Sequence, residues 1–235
     1  MSEFNYTKEN PLRVFTAFSG YDSQCMSLDR IGIPYELVGW SEIDKYAIQG
    51  HNAVYPQYAD RNYGDISRIN WDEVPDFDLF TYSFPCTDIS NAGQQKGLEE
   101  GSGTRSSLLW ECCKTIEAKK PKYLLMENVK ALVSQKFLPF YKKWEQYLAD
   151  MGYDNYGMVM NAKDYGVPQN RERIFLVSIL GDHDGFRFPS PIPLEKRLKD
   201  VLEPEVDDKY VLSDQAIEGF LKHNENHEEK GTGFI

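Results

Sequence analysis

The sequence predicts an α/β fold built on a doubly wound, mostly parallel sheet. Short apolar runs typical of buried strands alternate along most of the chain with longer segments of helical periodicity. Polar residues able to do chemistry follow several of the predicted strands, and ligands of such sheets bind beyond the carboxyl ends of the strands. The composition, 41% hydrophobic and 14% aromatic, is typical of a globular protein and not of a disordered one.

The amino-terminal half of the sheet is predicted from three strands and two helices. Buried strands are expected at residues 13–18 and 36–40, with a weaker strand at 62–66. Helices are expected at 23–31 and 44–54, where the apolar residues recur every three to four positions. This alternation favours parallel pairing of the strands, because parallel neighbours need a crossover connection.

The carboxyl-terminal half of the sheet continues the same alternation. A clear strand at 78–84 precedes a long helix at 104–119, and a strand at 122–126 precedes a helix at 138–151. Two closing strands are expected at 153–160 and 173–180, the last of them antiparallel to the rest.

Two segments depart from the sheet pattern. Residues 90–103 are rich in Gly, Gln and Glu without an apolar period, as in a functional loop. After Pro191 the core pattern ends, so we expect a ligand-binding catalytic domain at 11–190 and an acidic tail at 191–235, with a surface helix at 213–222. Residues 201–235 hold nine acidic and three basic residues, which is −6 of the net charge of −11, and this charge argues against a protein that coats nucleic acid generally.

Composition also indicates the cellular compartment of the protein and the redox state of its cysteines. No apolar run approaches the roughly 20 residues that span a bilayer, and residues 1–8 lack the features of a signal peptide, so a cytoplasmic protein without a membrane partner is expected. The spacing of Cys25, Cys86, Cys112 and Cys113 fits no paired zinc site, so we expect free thiols and no metal.

Cys86 follows Pro85 at the end of the most clearly predicted strand. A strand end would direct its thiol into the ligand crevice, where a lowered pKa would make it a nucleophile. The alternative is a small buried hydrophobic side chain, which is the usual state of a free cysteine.

Three charged residues close the later strands. Glu127 ends the strand after Cys86 and could exchange a proton with a heteroaromatic ring, or simply cap a helix. Arg171 and Arg173 are two apart on an extended segment, so they point the same way and suit phosphate, carboxylate or carbonyl oxygens. The alternative for the arginines is a structural ion-pair cluster with acids such as Glu172.

The first predicted strands are followed by residues that could bind a nucleotide. The turn at Gly20 could let a ligand approach backbone amides, and Glu42 after the second strand could hold ribose hydroxyls. Asp65 and Ile66, after the third predicted strand, could bind the amino group and the face of an adenine.

The order of these segments is far more specific than any one of them. Phe-Ser-Gly, Glu42, Asp65, Pro-Cys, Glu-Asn-Val and Gln-Asn-Arg-Glu-Arg follow one another as in the DNA (cytosine-5) methyltransferase family, which the sequence resembles over about residues 11–180. Gly-Gln-Gln-Lys-Gly at 93–97 with Arg-Ser-Ser-Leu at 105–108 is similar to the mobile catalytic loop of that family.

The resemblance implies a Rossmann-like methyltransferase that uses S-adenosylmethionine (AdoMet), releases S-adenosylhomocysteine and acts on cytosine in double-stranded DNA. Cys86 would attack carbon 6 of the base, with Glu127, Arg171 and Arg173 completing the catalytic set. The expected cofactor ligands are Phe18, Ser19, Gly20, Glu42, Ile43, Asp65, Ile66 and Pro85. The expected DNA-loop residues are Ser90, Gln94, Gln95, Lys96 and Arg105. A bacterial or phage source, as in restriction-modification systems, is expected.

The sequence departs from the family pattern in two places. The first turn normally contains Phe-x-Gly-x-Gly-Gly, but here residues 18–23 are Phe-Ser-Gly-Tyr-Asp-Ser. Family members continue into a target-recognition domain and then complete the cofactor site, whereas this chain ends at Ile235. We therefore expect both later parts to be missing, with a second chain as one source for them.

Two other functions stay open, and two more are disfavoured by the sequence. An RNA cytosine-5 methyltransferase would use identical chemistry, and a truncated AdoMet-binding module would be inactive without a partner. An amino-group methyltransferase is disfavoured, because residues 83–86 are Ser-Phe-Pro-Cys where that reaction uses Asp/Asn-Pro-Pro-Tyr/Phe. A cysteine hydrolase is disfavoured because the histidines lie away from the strand-end residues, at His51, His183, His223 and His227.

Overall fold

Six strands form one sheet in the computed structural model, which describes residues 6–85 and 108–229. The strands are β1 (Leu12–Ala17), β2 (Tyr35–Ser41), β3 (Leu79–Tyr82), β4 (Tyr123–Val129), β5 (Tyr153–Asn161) and β6 (Glu172–Leu180). Their order across the sheet is β2-β1-β3-β4-β6-β5. The first four in this order pair in parallel, and β6 is antiparallel to both β4 and β5. The predicted fold class, with its antiparallel last strand, is confirmed.

Helices connect the strands, and their ends follow local capping rules. They are α1 (Ser23–Ile31), α2 (Lys45–Val54), α3 (Leu109–Lys119) and α4 (Leu138–Asp150). The first ends as predicted because Gly32 adopts a left-handed φ of 70°. The second begins after Asp44, whose Oδ1 accepts hydrogen bonds from the backbone N–H groups of Tyr46 and Ala47.

Each face of the sheet carries an apolar core. On one face, Phe15 and Tyr82 belong to the larger core together with α3 and with Trp144 of α4. On the other face, Val14 belongs to a smaller core together with Cys25 of α1. Because side chains alternate along a strand, β1 contributes to both cores, and this places it in the middle of the fold.

The prediction of a weak strand at residues 62–66 is wrong. Only Asn62 forms an isolated bridge, with Trp40, and the chain then turns through Gly64 at φ 73° into a short 3₁₀ turn, Ile66–Arg68. Asp65 begins this turn by accepting a hydrogen bond from the backbone N–H of Ser67. Turn-forming side chains therefore outweighed the short apolar pattern of the segment.

The chain divides into two compact units between Pro193 and Leu194. The second unit contains two 3₁₀ turns, Leu198–Asp200 and Asp208–Tyr210, followed by α5 (Asp214–Glu229). This helix continues seven residues beyond the predicted end at 222, through a stretch rich in the helix former Glu. Within the described parts of both units, no helix combines the length and the apolar character that crossing a membrane requires.

Replacing Gly39 with Ala is expected to destabilise the first unit. A Cβ atom at this position would lie 2.7 Å from Phe15 Cε2 and 2.7 Å from Tyr63 Cε2, so two packed rings would have to move. Overpacking of this kind costs about 1–3 kcal/mol. Chemical denaturation followed by circular dichroism measures the loss.

The matched control for this change is Gly50→Ala in α2. A Cβ there meets nothing closer than Tyr21 Cβ at 3.7 Å, an ordinary contact, and the helix should gain about 0.5–1 kcal/mol. Equal unfolding midpoints for the two variants would show that Gly39 is not needed for the packing of Phe15.

Candidate functional site

The ends of β2, β1 and β3 lie in one row across the sheet, level with Met126 inside β4. Ala17 at the end of β1 pairs with Ser41 of β2 and with Tyr82 of β3, and Tyr82 pairs with Met126 of β4. Neighbouring strands are about 4.8 Å apart, so the segments that follow these residues emerge along one edge of the sheet. Pro85 is the last described residue on the third of these segments, and Cys86 lies outside the described residues.

The segment after β1 is a tight turn with three left-handed residues. Phe18, Gly20 and Asp22 have φ values of 55°, 58° and 68°. The backbone N–H of Asp22 donates to the carbonyl of Ser19 at 2.9 Å, which closes the turn. A Cβ on Gly20 would meet no atom within 4 Å, so the backbone conformation, and not lack of space, favours glycine there.

Glu42 joins this turn to the segment after β2. Its Oε2 accepts a hydrogen bond from the backbone N–H of Gly20 at 3.0 Å. Its Oε1 accepts from the N–H groups of Ile43 and Asp44 at 2.8 and 3.0 Å. A carboxylate offers about four acceptor positions, so about one remains for a ligand hydroxyl.

Ile43, Asp65 and Ile66 differ in how much they offer to a ligand. Ile43 is 72% exposed, which is unusual for a large apolar side chain, whereas Ile66 is 4% exposed and belongs to the larger core. Asp65 accepts hydrogen bonds from the side chain and backbone of Ser67, and these lower the pKa of its carboxyl group. Asp65 is therefore an ionised acceptor at neutral pH.

Glu127 and Arg173 form an ion pair between β4 and β6. Arg173 Nε lies 3.0 Å from Glu127 Oε1, and the two side chains are 23% and 26% exposed. Both line a cavity of about 260 Å³ that Arg171 also lines, so the two arginines reach one space. The arrangement leaves a carboxylate and two guanidinium groups facing a cavity large enough for a small ring.

A larger crevice of about 860 Å³ shares Glu127 and Arg171 with this cavity. Phe18, Ser19 and Ser83 contribute to it from the strand-end segments. The Oγ of Ser19 is buried and has no hydrogen-bond partner within the described part of the chain. The two spaces therefore meet at Glu127.

Two asparagines outside the predicted site residues fix the segments that contain Phe84 and Arg171 by hydrogen bonds. Asn128 is 3% exposed, and its Nδ2 donates to the carbonyl of Phe84 at 3.0 Å, two residues before Cys86. Asn161 ends β5, and its Oδ1 accepts from the backbone N–H of Arg171 at 3.0 Å. Asparagine at a strand end often binds nearby backbone groups, and this was the available signal.

The expected DNA-loop residues lie outside the described residues. They are Ser90, Gln94, Gln95, Lys96 and Arg105. Their expected role stays a prediction, as does that of Cys86.

Comparison with known proteins gives a consistent match. Residues 12–235 match the family model described as C-5 cytosine-specific DNA methylase. The type II methyltransferase M2.ScrFI of Lactococcus lactis subsp. cremoris is 40% identical, over 88% of this chain and 71% of the relative. The orphan methyltransferase M.Rho11sI of Bacillus phage rho11s is 32% identical, over 95% of this chain and 50% of the relative. The chain thus spans from half to about 70% of the length of these relatives.

Solved structures share the fold. The methyltransferase Dnmt2 of S. pombe superposes with a TM-score of 0.72 at 21% identity, covering 91% of this chain and 67% of that chain. The methyltransferase EhMeth of Entamoeba histolytica gives a TM-score of 0.71 at 18% identity, covering 88% of this chain and 64% of that chain. At these identities the likeness concerns the fold alone.

Replacing Asn128 with Asp should loosen the segment that leads to Cys86. The change removes the donor to the Phe84 carbonyl and places a carboxylate oxygen against it, at an expected cost of about 1–3 kcal/mol. Alkylation of Cys86, followed by mass spectrometry, should become faster, while that of Cys113 should not change. Unchanged alkylation of Cys86 would show that Asn128 does not hold this segment.

Proposed function

The chain belongs to the C-5 cytosine-specific DNA methylase family, and on this premise we propose that the protein transfers a methyl group from AdoMet to carbon 5 of cytosine in DNA. The catalytic part is assigned to residues 11–190. The observation that supports the proposal best is the Glu127–Arg173 pair, which faces a cavity at the edge of the sheet where the segment leading to Cys86 also emerges.

The chemistry needs a nucleophile because carbon 5 of cytosine is itself a poor one. The thiolate of Cys86 adds to carbon 6, forming a carbon–sulfur bond and moving the ring electrons toward carbon 5. AdoMet, when bound, would supply an electrophilic methyl group, which bonds to carbon 5 as S-adenosylhomocysteine leaves. A base then removes the proton from carbon 5, and elimination breaks the bond to Cys86 and restores the ring.

Glu127 and the arginines stabilise the charge that develops on the base. The carboxyl group of Glu127 binds ring nitrogen 3 and the exocyclic amine, which favours thiolate addition. Arg173 holds Glu127 in place through its Nε and offers its remaining donors to the carbonyl oxygen of the base. Arg171, on the loop before β6, contacts a phosphate of the DNA or supports the site.

The residues that follow β1 and β2, together with Asp65, suit AdoMet. Glu42 has about one acceptor position left, which is enough for one ribose hydroxyl. Exposed Ile43 provides an apolar surface for the adenine ring, and the ionised Asp65 accepts from the adenine amino group. Phe18 and Ser19, which line the larger crevice, lie beside the methionine end.

The DNA substrate must present its cytosine outside the helical stack. Flipping a base costs a few kcal/mol, and the enzyme recovers this through the cavity and through contacts with the flanking phosphates. Residues 90–105 are proposed to close over the flipped base, with Gln94, Gln95, Lys96 and Arg105 filling the vacated space or binding phosphates.

A DNA duplex with 5-fluorocytosine at the target position tests the proposal directly. Fluorine cannot leave as a proton does, so the full-length protein with AdoMet should form a stable covalent adduct visible on a denaturing gel. Cys86→Ser should abolish the adduct, and the matched change Cys113→Ser should preserve it. An adduct that survives Cys86→Ser would refute the assignment of the nucleophile.

The role of Glu127 can be separated from that of its neighbours on the sheet. Glu127→Gln keeps the shape of the side chain but loses the charge and the exchangeable proton, so the methylation rate should fall about 10²- to 10⁴-fold. Glu172→Gln is the control, because Glu172 pairs with Lys130 at 2.8 Å and does not line the cavity. Equal single-turnover rates for the two variants would contradict the role given to Glu127.

A further inference from the structure

Asp22, directly before α1, combines two features that each cost folding free energy. Its φ of 68° lies in the left-handed region, and its side chain is fully buried. It precedes α1 but does not cap it, since its side chain makes no hydrogen bond to the first turn of the helix. A strained residue with a buried carboxylate persists only where its surroundings hold it firmly.

The carboxylate of Asp22 accepts one hydrogen bond through Oδ2 and lies close to a histidine ring, while its Oδ1 has no partner among the described residues. The hydroxyl of Thr16, in β1, donates a hydrogen bond to Oδ2 at 2.9 Å. The Nε2 of His51, in α2, lies 3.4 Å from the same oxygen, and the His51 ring is fully buried and stacks on Trp40 with centroids 3.7 Å apart. Cys25 lies alongside, and burial together with the charge of Asp22 raises the pKa of its thiol, so the thiol stays protonated.

Thr16 and His51 lie on elements that adjoin the proposed cofactor ligands along the chain. Thr16 is two residues before Phe18, and α2, which contains His51, begins three residues after Glu42. The turn of residues 18–22 is therefore held on one side by the bond from Gly20 N–H to Glu42 and at its far end by the buried carboxylate of Asp22. Movement of Asp22 would shift Gly20 and loosen its bond to Glu42.

We propose that Asp22, anchored by the hydroxyl of Thr16 and packed against His51, is a positioning residue that fixes the 18–22 turn in the shape required for AdoMet binding. The inference rests on the proposed function, because the place of AdoMet at this turn is itself proposed. Asp22 does not touch the reacting atoms. It acts through the turn and through Glu42, and it stands where the family pattern has glycine, so its side chain supplies a restraint that glycine lacks.

Four variants separate positioning from general stability. Asp22→Asn keeps the size of the side chain and tolerates the left-handed conformation but offers only one acceptor oxygen. Thr16→Val removes only the hydroxyl, and Thr16→Ser restores it. The matched control is Asp29→Asn on the same helix, because Asp29 accepts a hydrogen bond from the hydroxyl of Tyr55 at 2.9 Å, away from the turn.

The first measurement needs no ligand. Amide hydrogen exchange of a peptide covering residues 17–24 should become faster in Asp22→Asn and Thr16→Val, and return to the wild-type rate in Thr16→Ser. In Asp29→Asn this peptide should exchange at the wild-type rate, even where the melting temperature falls. Unchanged exchange in Asp22→Asn, or equal acceleration in Asp29→Asn, overturns the inference.

The second measurement is calorimetric titration with S-adenosylhomocysteine. The dissociation constant should rise roughly tenfold or more in Asp22→Asn and Thr16→Val, the equivalent of one hydrogen bond to a charged group, and should stay unchanged in Asp29→Asn. Wild-type affinity in Asp22→Asn overturns the inference while leaving the proposed function intact. A wild-type protein that binds neither S-adenosylhomocysteine nor AdoMet contradicts the proposed function and the inference together.

Discussion

The site depends on the lateral hydrogen bonding that keeps the ends of β2, β1 and β3 in one row, level with Met126 inside β4. The register between β1 and β2 shifts between Val14 and Phe15, because Val14 pairs with Leu37 while Phe15 pairs with Gly39. This irregularity places a residue without a side chain beside the Phe15 ring and brings Ser41 level with Ala17. A slip of one residue would turn every side chain of a strand to the opposite face, so the packing of Phe15 and the position of Glu42 depend on the same register.

Backbone amides and asparagines then hold the polar groups at the edge of the sheet. Glu42 accepts three backbone hydrogen bonds, Asn128 holds the Phe84 carbonyl, and Asn161 holds the N–H of Arg171. These hydrogen bonds fix each candidate ligand-binding residue to the neighbouring backbone or to the end of the next strand. The site is consequently organised before any ligand arrives, which lowers the entropic cost of binding.

The strands and helices of the sheet were predictable from the sequence because their signals are local. The helical periodicity was enough to place α1, whereas the turn at residues 62–68 was missed because its side-chain caps outweigh a short apolar pattern. The position of β6 between β4 and β5 could not be derived, since it depends on pairing between residues far apart in the chain. The alternation of an extended chain predicted that Arg171 and Arg173 point the same way, and the two line one cavity. The distance from Arg173 to Glu127 and the inward carboxylate of Asp22 required coordinates.

The antiparallel direction of β6 has a consequence for how this scaffold can vary. The parallel strands supply the site from their carboxyl ends, but β6 supplies Arg173 from its beginning, directly after the ten residues that join it to β5. The two ends of that connection are hydrogen-bonded to each other, because β5 pairs with β6 and Asn161 accepts a hydrogen bond from Arg171. The ends therefore stay together whatever the length of the connection. Insertions there would add only a slowly rising loop-closure entropy and would leave the crossover helices in place. New surface for reading a substrate could therefore evolve at this point beside Arg171 and Arg173 without disturbing the core.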